Sequence, residues 1–547
     1  MSDVKSKTLD AVIVGSGMAG MYMLHRLRKQ GLNVLAVEAG TGVGGAWYWN
    51  RYPGCRCDVP SIEYSFSFSK ELEQEWDWTE AMVSQPELER YLNHVADRFD
   101  LRKDIQFGTR VTSANYDESS ARWTVTTDQG DVFDTNYCVM ATGCLTIPNY
   151  PDINNADAFQ GEVYHTATWP KEEVDFTGKR VAVIGCGSSG VQTIPIIAEK
   201  AEQLIAFQRS PVYTFPARNA PMKPEFLAQA KKDYPEIRAK QRNCASGIAG
   251  YTGPAKAEGE VEKPKSSRKI LGLTAEQRQA ELEEFGMGAI PNYVDAFFNE
   301  DANAIVRDMF DQSLKAIVKD PQKADALSPK DYPLHCKRPV IDTNYYEAFN
   351  KDSVSIVDLR ESAIEELTAT GLRTSDGSEY EFDILVYATG FDAMTGGLTA
   401  IDIRGIGGES IKEKWADGPT AYLGLQVSGF PNLFTITGPG SPSILSNVIV
   451  SIEYHCEWID QTIQYLRDND IKAMEAKQSA ADAWADHVNE AAQGTMYVAP
   501  TCNSWYLGSN IDGKKRMFMP YLGGVDKYDQ KCKDVIAKGY EGFALSR

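Results

Sequence analysis

Residues 10–38 read DAVIVGSGMAGMYMLHRLRKQGLNVLAVE. The stretch runs from a short apolar strand through a glycine turn into a helix, and it ends with a second strand and Glu38. The turn is a GxGxxG motif made of Gly15, Gly17 and Gly20. Such glycines permit a tight turn and the close approach of a pyrophosphate to the helix N-terminus, and the acid accepts hydrogen bonds from a ribose diol. The stretch therefore predicts a dinucleotide-binding module, and FAD is its natural ligand.

The same order recurs in residues 180–209, RVAVIGCGSSGVQTIPIIAEKAEQLIAFQR. The second GxGxxG motif is made of Gly185, Gly187 and Gly190. Here the strand after the helix does not end in an acid, because Gln208 is followed by Arg209 and Ser210. An acid favours a free ribose 2′-hydroxyl, whereas an arginine favours a 2′-phosphate. We therefore expect this second module to bind NADP rather than NAD.

Each module is followed by a hairpin-like stretch that ends in the tripeptide ATG, at 141–143 and again at 388–390. The second copy is the longer one, so it should hold an insertion. Residues 219–332 are charged and helix-prone, with a capping-box pattern at Thr274 and Gln277 and a loop-like GEVEKPKSSRK. We predict an α/β fold with two Rossmann-like dinucleotide-binding domains, for FAD and NADP, and a helical insertion in the NADP domain.

The domain boundaries follow from this pattern. The FAD-binding domain is expected at residues 1–150 and 390–547, and its second part should carry substrate and NADP loops. The NADP-binding domain is expected at 151–218 and 333–389, on either side of the insertion at 219–332.

The chain has 547 residues and a formal net charge of −20. A surface this acidic repels nucleic acid and anionic membranes, so we expect neither as a partner. No apolar run approaches the roughly eighteen residues of a membrane span, and the polar N-terminus lacks a secretory signal. The ten cysteines are scattered, which predicts reduced thiols in a cytoplasm. We expect no metal site. The oligomeric state stays open, and a monomer is compatible with the sequence.

Two nucleotide sites, one for a flavin and one for a nicotinamide, predict a flavoprotein that takes hydride from NADPH. Disulfide reductases share this plan, but they need a redox-active cysteine pair near the first site. In this chain the candidates for such a pair are Cys55 and Cys57, in GCRCD. A single intervening residue is too few for a relaxed disulfide in most backbones. We interpret Cys57 as a buried packing residue and Cys55 as incidental.

Residues 159–170 favour a different class. They read FQGEVYHTATWP and match FxGxxxHxxxWP, the signature of type I Baeyer–Villiger monooxygenases. Residues 44–69, 337–347 and 438–455 also resemble blocks of that family. The likeness covers nearly the whole chain and is loosest in the insertion at 219–332. The resemblance implies FAD- and NADPH-dependent oxidation of ketones by O2 to esters or lactones, through a C4a-peroxyflavin.

The resemblance also implies roles for individual residues. Arg338 matches the catalytic arginine, and Asp58 matches the acid that pairs with it. Lys337 matches a lysine that helps Arg209 hold the 2′-phosphate, and Trp505 matches a tryptophan on a mobile loop that folds over NADP. The remaining cofactor contacts are expected from Gly15, Gly17, Gly20, Glu38, Trp47, Tyr64, Val111, Gly185, Gly187, Ser188, Ser189, Gly190, Gln192 and Ser210. The substrate-lining loop is expected at Ser443, Ile444 and Leu445.

The signature itself is expected to link the two nucleotide modules. Packing is expected to anchor it at Phe159, Trp169 and Pro170, with a turn at Gly161 and a hydrogen bond across the linker from His165. Whether His165 acts kinetically or only structurally stays open. Two other functions also stay open: an N- or S-oxygenating flavin monooxygenase, and a non-catalytic FAD- and NADP-binding redox sensor.

Overall fold

The structure is a computed structural model that describes residues 6–251, 268–511 and 513–547. Most of the predicted loop GEVEKPKSSRK lies outside these residues. The strands are β1 (Ser6–Val14), β2 (Val34–Val37), β3 (Ile105–Gln106), β4 (Val111–Asp117), β5 (Arg122–Thr127), β6 (Val132–Met140), β7 (Ile147–Pro148), β8 (Glu162–His165), β9 (Arg180–Ile184), β10 (Gln203–Gln208), β11 (Thr214–Pro216), β12 (Val340–Asp342), β13 (Val354–Asp358), β14 (Ile364–Thr368), β15 (Gly371–Thr374), β16 (Glu379–Glu381), β17 (Ile384–Tyr387), β18 (Phe391–Asp392), β19 (Asp402–Arg404), β20 (Leu433–Thr435), β21 (Ala473–Ala476) and β22 (Phe543–Ser546).

The α-helices are α1 (Met18–Lys29), α2 (Ala46–Trp49), α3 (Lys70–Glu75), α4 (Gln85–Arg98), α5 (Ser188–Lys200), α6 (Pro224–Arg242), α7 (Ala275–Phe285), α8 (Glu300–Ile317), α9 (Pro321–Leu327), α10 (Tyr345–Ala348), α11 (Gly396–Thr399), α12 (Ile411–Lys414), α13 (Val448–Asp468), α14 (Gln478–Ala492) and α15 (Val525–Ala537). At each glycine turn an α-helix connects two strands, in the order β1-α1-β2 and β9-α5-β10. Within the described ranges, no helix has the length and apolar character needed to cross a membrane.

The first sheet has the strand order β19-β4-β5-β6-β1-β2-β3, and β20 also pairs with β6. Its centre is parallel: Val14 of β1 lies opposite Val37 of β2 and Met140 of β6. The hairpin β5–β6 is antiparallel. Since β19 and β20 come from the last third of the chain, that part returns to complete the first module.

The second sheet is parallel throughout, in the order β13-β10-β9-β17-β8. A three-stranded antiparallel sheet, β14-β15-β16, precedes β17. Fully buried apolar side chains fill the central strands, as expected of a parallel sheet covered on both faces. Two Rossmann-like modules in one α/β chain are therefore confirmed.

The two glycine turns pack in the same way. Gly15 and Gly185 have φ of +105° and +108°, which favours glycine. A Cβ on Gly15 would lie 2.6 Å from the carbonyl oxygen of Ala141, and one on Gly185 would lie 2.4 Å from that of Ala388. Each turn thus rests against the ATG tripeptide of its own copy, so the repeated tripeptide is part of the repeated fold.

The insertion is helical, and the predicted capping box of α7 is present at Thr274 and Gln277. It does not, however, pack as one body on the NADP module. Helix α6 contributes Tyr234 and Ile237 to the core of the first module, and Arg238 forms a buried ion pair with Glu73, 2.7 Å from nitrogen to oxygen. Helices α8 and α9 pack on the second module. The predicted insertion is thus continuous in sequence but divided in packing between the two modules, which local helix signals do not indicate because they carry no information on docking partners.

The signature segment and the cysteines both show local structure that the sequence did not predict. Residues 159–170 show no strand period, yet they contain β8, the edge strand of the second sheet, followed by a short 3-10 turn. An edge strand is bonded on one side only and needs no regular alternation of burial. The expectation that all cysteines are reduced thiols was wrong for one pair: Cys336 and Cys502 form a disulfide, with Cα atoms 5.4 Å apart. Cys55 and Cys57 are free and buried.

Candidate active site

Arg338 and Asp58 meet at the junction of the two modules. Arg338 lies two residues before β12, whose pairing with β11 fixes the strand, and Asp58 lies in the loop between α2 and α3. The guanidinium Nη2 lies 3.0 Å from the Asp58 Oδ2, and Nη1 donates to the carbonyl oxygen of Ile444 at 3.4 Å. The two side chains are 39% and 37% exposed. The ion pair therefore joins the modules and leaves part of the guanidinium accessible.

The surroundings keep the Arg338 guanidinium charged. Partial burial lowers the pKa of Arg338, but the Asp58 carboxylate raises it, with Tyr506, Cys57 and Tyr497 adding to the rise, and the net direction is upward. A cation that holds its proton firmly stabilises negative charge nearby without acting as a proton donor.

Lys337 and Arg209 form a second cationic site. Burial, together with the charge of Arg209, lowers the pKa of Lys337 to about 8. The ammonium group lies 4.6 Å above the ring of Tyr332. Arg209 and Ser210 are exposed at the end of β10. Within the described part of the chain, no carboxylate forms an ion pair with Lys337 or Arg209. Two neighbouring cations without an acid between them favour a multiply charged anion.

Glu38 closes the first glycine turn. It is 5% exposed, and it accepts hydrogen bonds from the backbone N–H groups of Ser16 and Gly40, both at 2.7 Å. The helix N-cap Gly17 has no side-chain hydrogen bond, so the first amides of α1 remain donors for a ligand. The predicted flavin contacts lie around this turn: Trp47 and Tyr64 stack edge to face at 5.8 Å, and Val111 is buried at the start of β4.

The chain is similar to proteins of known activity over its whole length. The profile of the pyridine nucleotide-disulphide oxidoreductase family matches residues 12–217. A Baeyer–Villiger monooxygenase from Pseudooceanicola batsensis is 38% identical, covering 98% of this chain and 96% of the relative. A phenazine N-monooxygenase from Lysobacter antibioticus is 39% identical, covering 100% and 98%. The structure of oxidized steroid monooxygenase bound to NADP has a TM-score of 0.89 at 45% identity, covering 99% of this chain and 100% of the other.

The chain belongs to the Baeyer–Villiger monooxygenase family. In this monooxygenase, the signature histidine contacts both parts of the chain that join the modules. The backbone N–H of Ala167 donates to Nδ1 of His165 at 3.0 Å, so Nε2 carries the proton, 3.3 Å from Thr389 Oγ1. Burial lowers the pKa of His165, which favours the neutral ring. The ring of Tyr150 packs against this imidazole at a tilt, with ring centroids 4.7 Å apart.

The other signature residues of the monooxygenase are packing residues. Phe159 packs against Phe382, and Trp169 packs against Tyr164 and Phe176; Pro170 is half-buried beside it. A Cβ on Gly161 would lie 2.4 Å from the Asp383 carbonyl oxygen. Gly161 lies at a bend just before β8, and since its φ is not positive, the close packing is what favours glycine at this position.

Gln192 lies in the second module but contacts the first. Its Oε1 accepts from the Tyr52 hydroxyl at 2.8 Å, and its Nε2 donates to the Arg56 carbonyl at 3.0 Å. The side chain is therefore engaged in holding the Asp58 loop against α5. The predicted contacts Ser188 and Ser189 lie in the first turn of α5, after the exposed Gly187, and Gly190 packs on Gly185.

The predicted substrate loop also meets Arg338. Ser443, Ile444 and Leu445 form a 3-10 turn, and Ile444 packs against an apolar cluster with Trp505. Sequence reasoning missed the other members of that cluster: Cys144, Leu145, Ala393, Met394 and Met519. It also missed Tyr506, which is buried and packs edge to face against Trp505, with ring centroids 4.4 Å apart. These residues come from four separate parts of the chain, and no spacing in the sequence connects them.

Proposed function

We propose that this chain uses FAD, NADPH and O2 to oxidise a ketone to an ester or lactone. The observation that carries the proposal is the Arg338–Asp58 ion pair, 3.0 Å long, at the junction of the two nucleotide modules. A fixed cation there is suited to a reaction in which negative charge builds up on a carbonyl oxygen. Membership of the Baeyer–Villiger family supports the same reaction.

The residues present fit both nucleotides. Glycine N-caps leave the first amides of α1 and α5 without side-chain partners, which suits two pyrophosphates. Glu38 would hold the FAD ribose, with Trp47, Tyr64 and the Val111 backbone around the flavin. Arg209, Ser210 and Lys337 would hold the 2′-phosphate of NADP. The pKa of Lys337 is lowered mainly by burial and further by the charge of Arg209, and a bound phosphate would offset both effects by supplying negative charge between the two cations.

Bound flavin would accept hydride from the nicotinamide and activate O2. The chain's own residues would then control charge and access. Asp58 orients Arg338, and the guanidinium would stabilise the negative charge on the oxidant and on the ketone oxygen. Arg338 donates no proton, so it would keep the oxidant anionic, which attack on a carbonyl requires. Ser443, Ile444, Leu445 and Trp505 would cover this region and limit water.

The substrate is proposed to be a ketone that fits the apolar cluster around Ile444, Met394 and Met519. A cytoplasmic location and a monomeric state belong to the same proposal. Eight of the ten cysteines are free, Cys336 and Cys502 being the exception, which supports the location. One chain supplies the proposed contacts of both nucleotides, so a second copy is not needed to complete the site.

N-oxygenation is the second candidate, because a phenazine N-monooxygenase is 39% identical over the full chain. One experiment tests both functions. The purified protein is given NADPH and air with a panel of cyclic, linear and aryl ketones, and in parallel with phenazines and tertiary amines. Products are identified by mass. We expect esters or lactones, each one oxygen atom heavier than the ketone. N-oxides formed without any ester would favour the second candidate.

A further inference from the structure

The disulfide joins two segments that both belong to the proposed site. Cys336 lies two residues before Arg338, and Cys502 lies three residues before Trp505, 166 residues further along the chain than Cys336. Both cysteines are fully buried. The covalent bond therefore connects the segment of the proposed catalytic arginine to the segment of the tryptophan that would cover NADP.

Non-covalent contacts connect the same two segments close to the disulfide. The Tyr506 hydroxyl lies beside the Arg338 backbone. The Trp505 side chain packs in one cluster with Ile444, whose carbonyl accepts from Arg338. The guanidinium of Arg516 donates to the carbonyl oxygens of Cys502 and Ala499, at 2.6 and 3.0 Å. Arg338 is thus held on one side by β12 and on the other by the disulfide-linked segment.

We propose that the Cys336–Cys502 disulfide is a positioning device for the oxygenation step, and that a dithiol reductant switches it off. The inference rests on the proposed function. Reduction breaks the S–S bond: two electrons and two protons pass from the dithiol to the two cysteine sulfurs, and the dithiol becomes a cyclic disulfide. The 502–505 segment is then free to move away from Arg338, and NADPH oxidation yields hydrogen peroxide instead of ester.

The first test counts thiols and does not depend on activity. The chain has ten cysteines, and the structure leaves eight of them free. Denatured, unreduced protein should therefore titrate eight thiols, and ten after reduction. In the native holoenzyme, NADP⁺ should slow reduction of this pair by dithiothreitol, because both sulfurs are buried until the segment moves. A count of ten thiols before reduction would overturn the proposal.

The second test measures ester formed per NADPH oxidised. This ratio should fall about tenfold in Cys336→Ala, in Cys502→Ala, in the double variant and in dithiol-treated wild type. The expected fall lies within the roughly hundredfold loss of rate that a 1 Å misplacement in an active site can cause. Dithiol should have no further effect on the double variant, and reoxidation with oxidised glutathione should restore the wild type. Cys138→Ala, a fully buried free cysteine on β6, is the matched control and should stay coupled.

The outcomes separate the proposals. A double variant with a lower Tm but a wild-type ratio of ester to NADPH would show that the disulfide is only structural. If oxidised wild type makes no ester from any ketone, the proposed function fails, while the thiol count and the protection by NADP⁺ still decide whether the disulfide links these segments.

Discussion

The two glycine turns share one backbone plan but have different surroundings. In the first turn, Ser16 and Met18 are buried, and a Cβ on Gly17 would lie 3.3 Å from the Cα of Gly45. In the second turn, Gly187 and Ser188 are exposed, and a Cβ on Gly187 would meet nothing within 4 Å. The 44–45 segment thus covers the first turn, whereas the second is open.

The charged residues that follow β2 and β10 differ in the same way, since one is buried and the other is exposed. Glu38 is buried and already bonded to backbone amides, whereas Arg209 is exposed and its charge contributes to lowering the pKa of Lys337. We infer that one backbone motif serves two purposes. A covered turn retains its nucleotide through many reaction cycles, and an open turn exchanges its nucleotide in each cycle.

The largest effect is expected at Arg338, which lies between the two modules and belongs to neither glycine turn. Arg338→Ala should remain yellow and should still oxidise NADPH, because both turns stay intact. Ester formation should fall by about a hundred- to a thousandfold, the usual loss on removal of a preorganised charge-stabilising group. The measurement is product mass together with hydrogen peroxide release.

Arg338→Lys keeps the charge but loses the planar fork, so only partial recovery of ester formation is expected. Ester production by Arg338→Ala at a near wild-type rate would show that this cation does not stabilise the reaction.

A smaller effect should distinguish the strand ends of the two modules. Arg209→Ala should raise KM for NADPH by about ten- to a hundredfold, because a charge-assisted contact to the 2′-phosphate is lost. KM for NADH and the FAD content should hardly change. Steady-state kinetics with both nucleotides checks this, and equal weakening of NADPH and NADH would remove Arg209 from the phosphate site.

The pH dependence of KM for NADPH tests the cationic site of the second module further. The pKa of Lys337 is about 8, so its charge, and with it the phosphate contact, is present below pH 8 and is lost as pH rises through that value. Between pH 7 and 9, KM for NADPH should rise by about three- to tenfold, since roughly one lysine in ten stays charged one unit above its pKa. NADH should show no such rise, and Lys337→Arg should abolish it. A persistent rise in Lys337→Arg would assign the titration to another group.

The smallest effects are expected from a matched pair of glycine substitutions. The methyl group added by Gly187→Ala would have no protein atom of the described residues within 4 Å, so Tm should not change. It should raise KM for NADPH by a few-fold, because it hinders the approach of the pyrophosphate. Gly17→Ala meets the Gly45 backbone and should lower stability by about 1 to 3 kcal/mol and weaken FAD retention. Thermal unfolding and flavin content measure both. Equal effects of the two variants on Tm would contradict the difference in cover between the turns.

Much of the fold was predictable because its signals are local. The glycine motifs, the acid or arginine at the strand end, the ATG tripeptides and the capping box of α7 all lie within short stretches. The placement of Arg338 beside Asp58 was expected only from family resemblance, because the two residues are 280 positions apart in the sequence and no local rule relates them.

The features that escaped prediction depend on distant partners. The Cys336–Cys502 pair has no spacing signal, and its formation depends on how two remote segments pack. The hydrogen bonds of Gln192 to the Tyr52 hydroxyl and the Arg56 carbonyl of the other module were not expected from the sequence, and its predicted cofactor contact stays a prediction. Helix α6 has a polar sequence that gives no indication of the buried Arg238–Glu73 ion pair.

The chain leaves the first module through β7 and returns to it through β18, and these two strands pair with each other. Paired strands lie roughly 5 Å apart, so the whole span between them begins and ends at nearly one point. The span between β7 and β18 should therefore be exchangeable as a unit: the corresponding residues of a relative could replace it while the sequence of the flavin module stays unchanged. The replacement would have to keep the native α6, because that helix lies within the exchanged residues but packs on the flavin module.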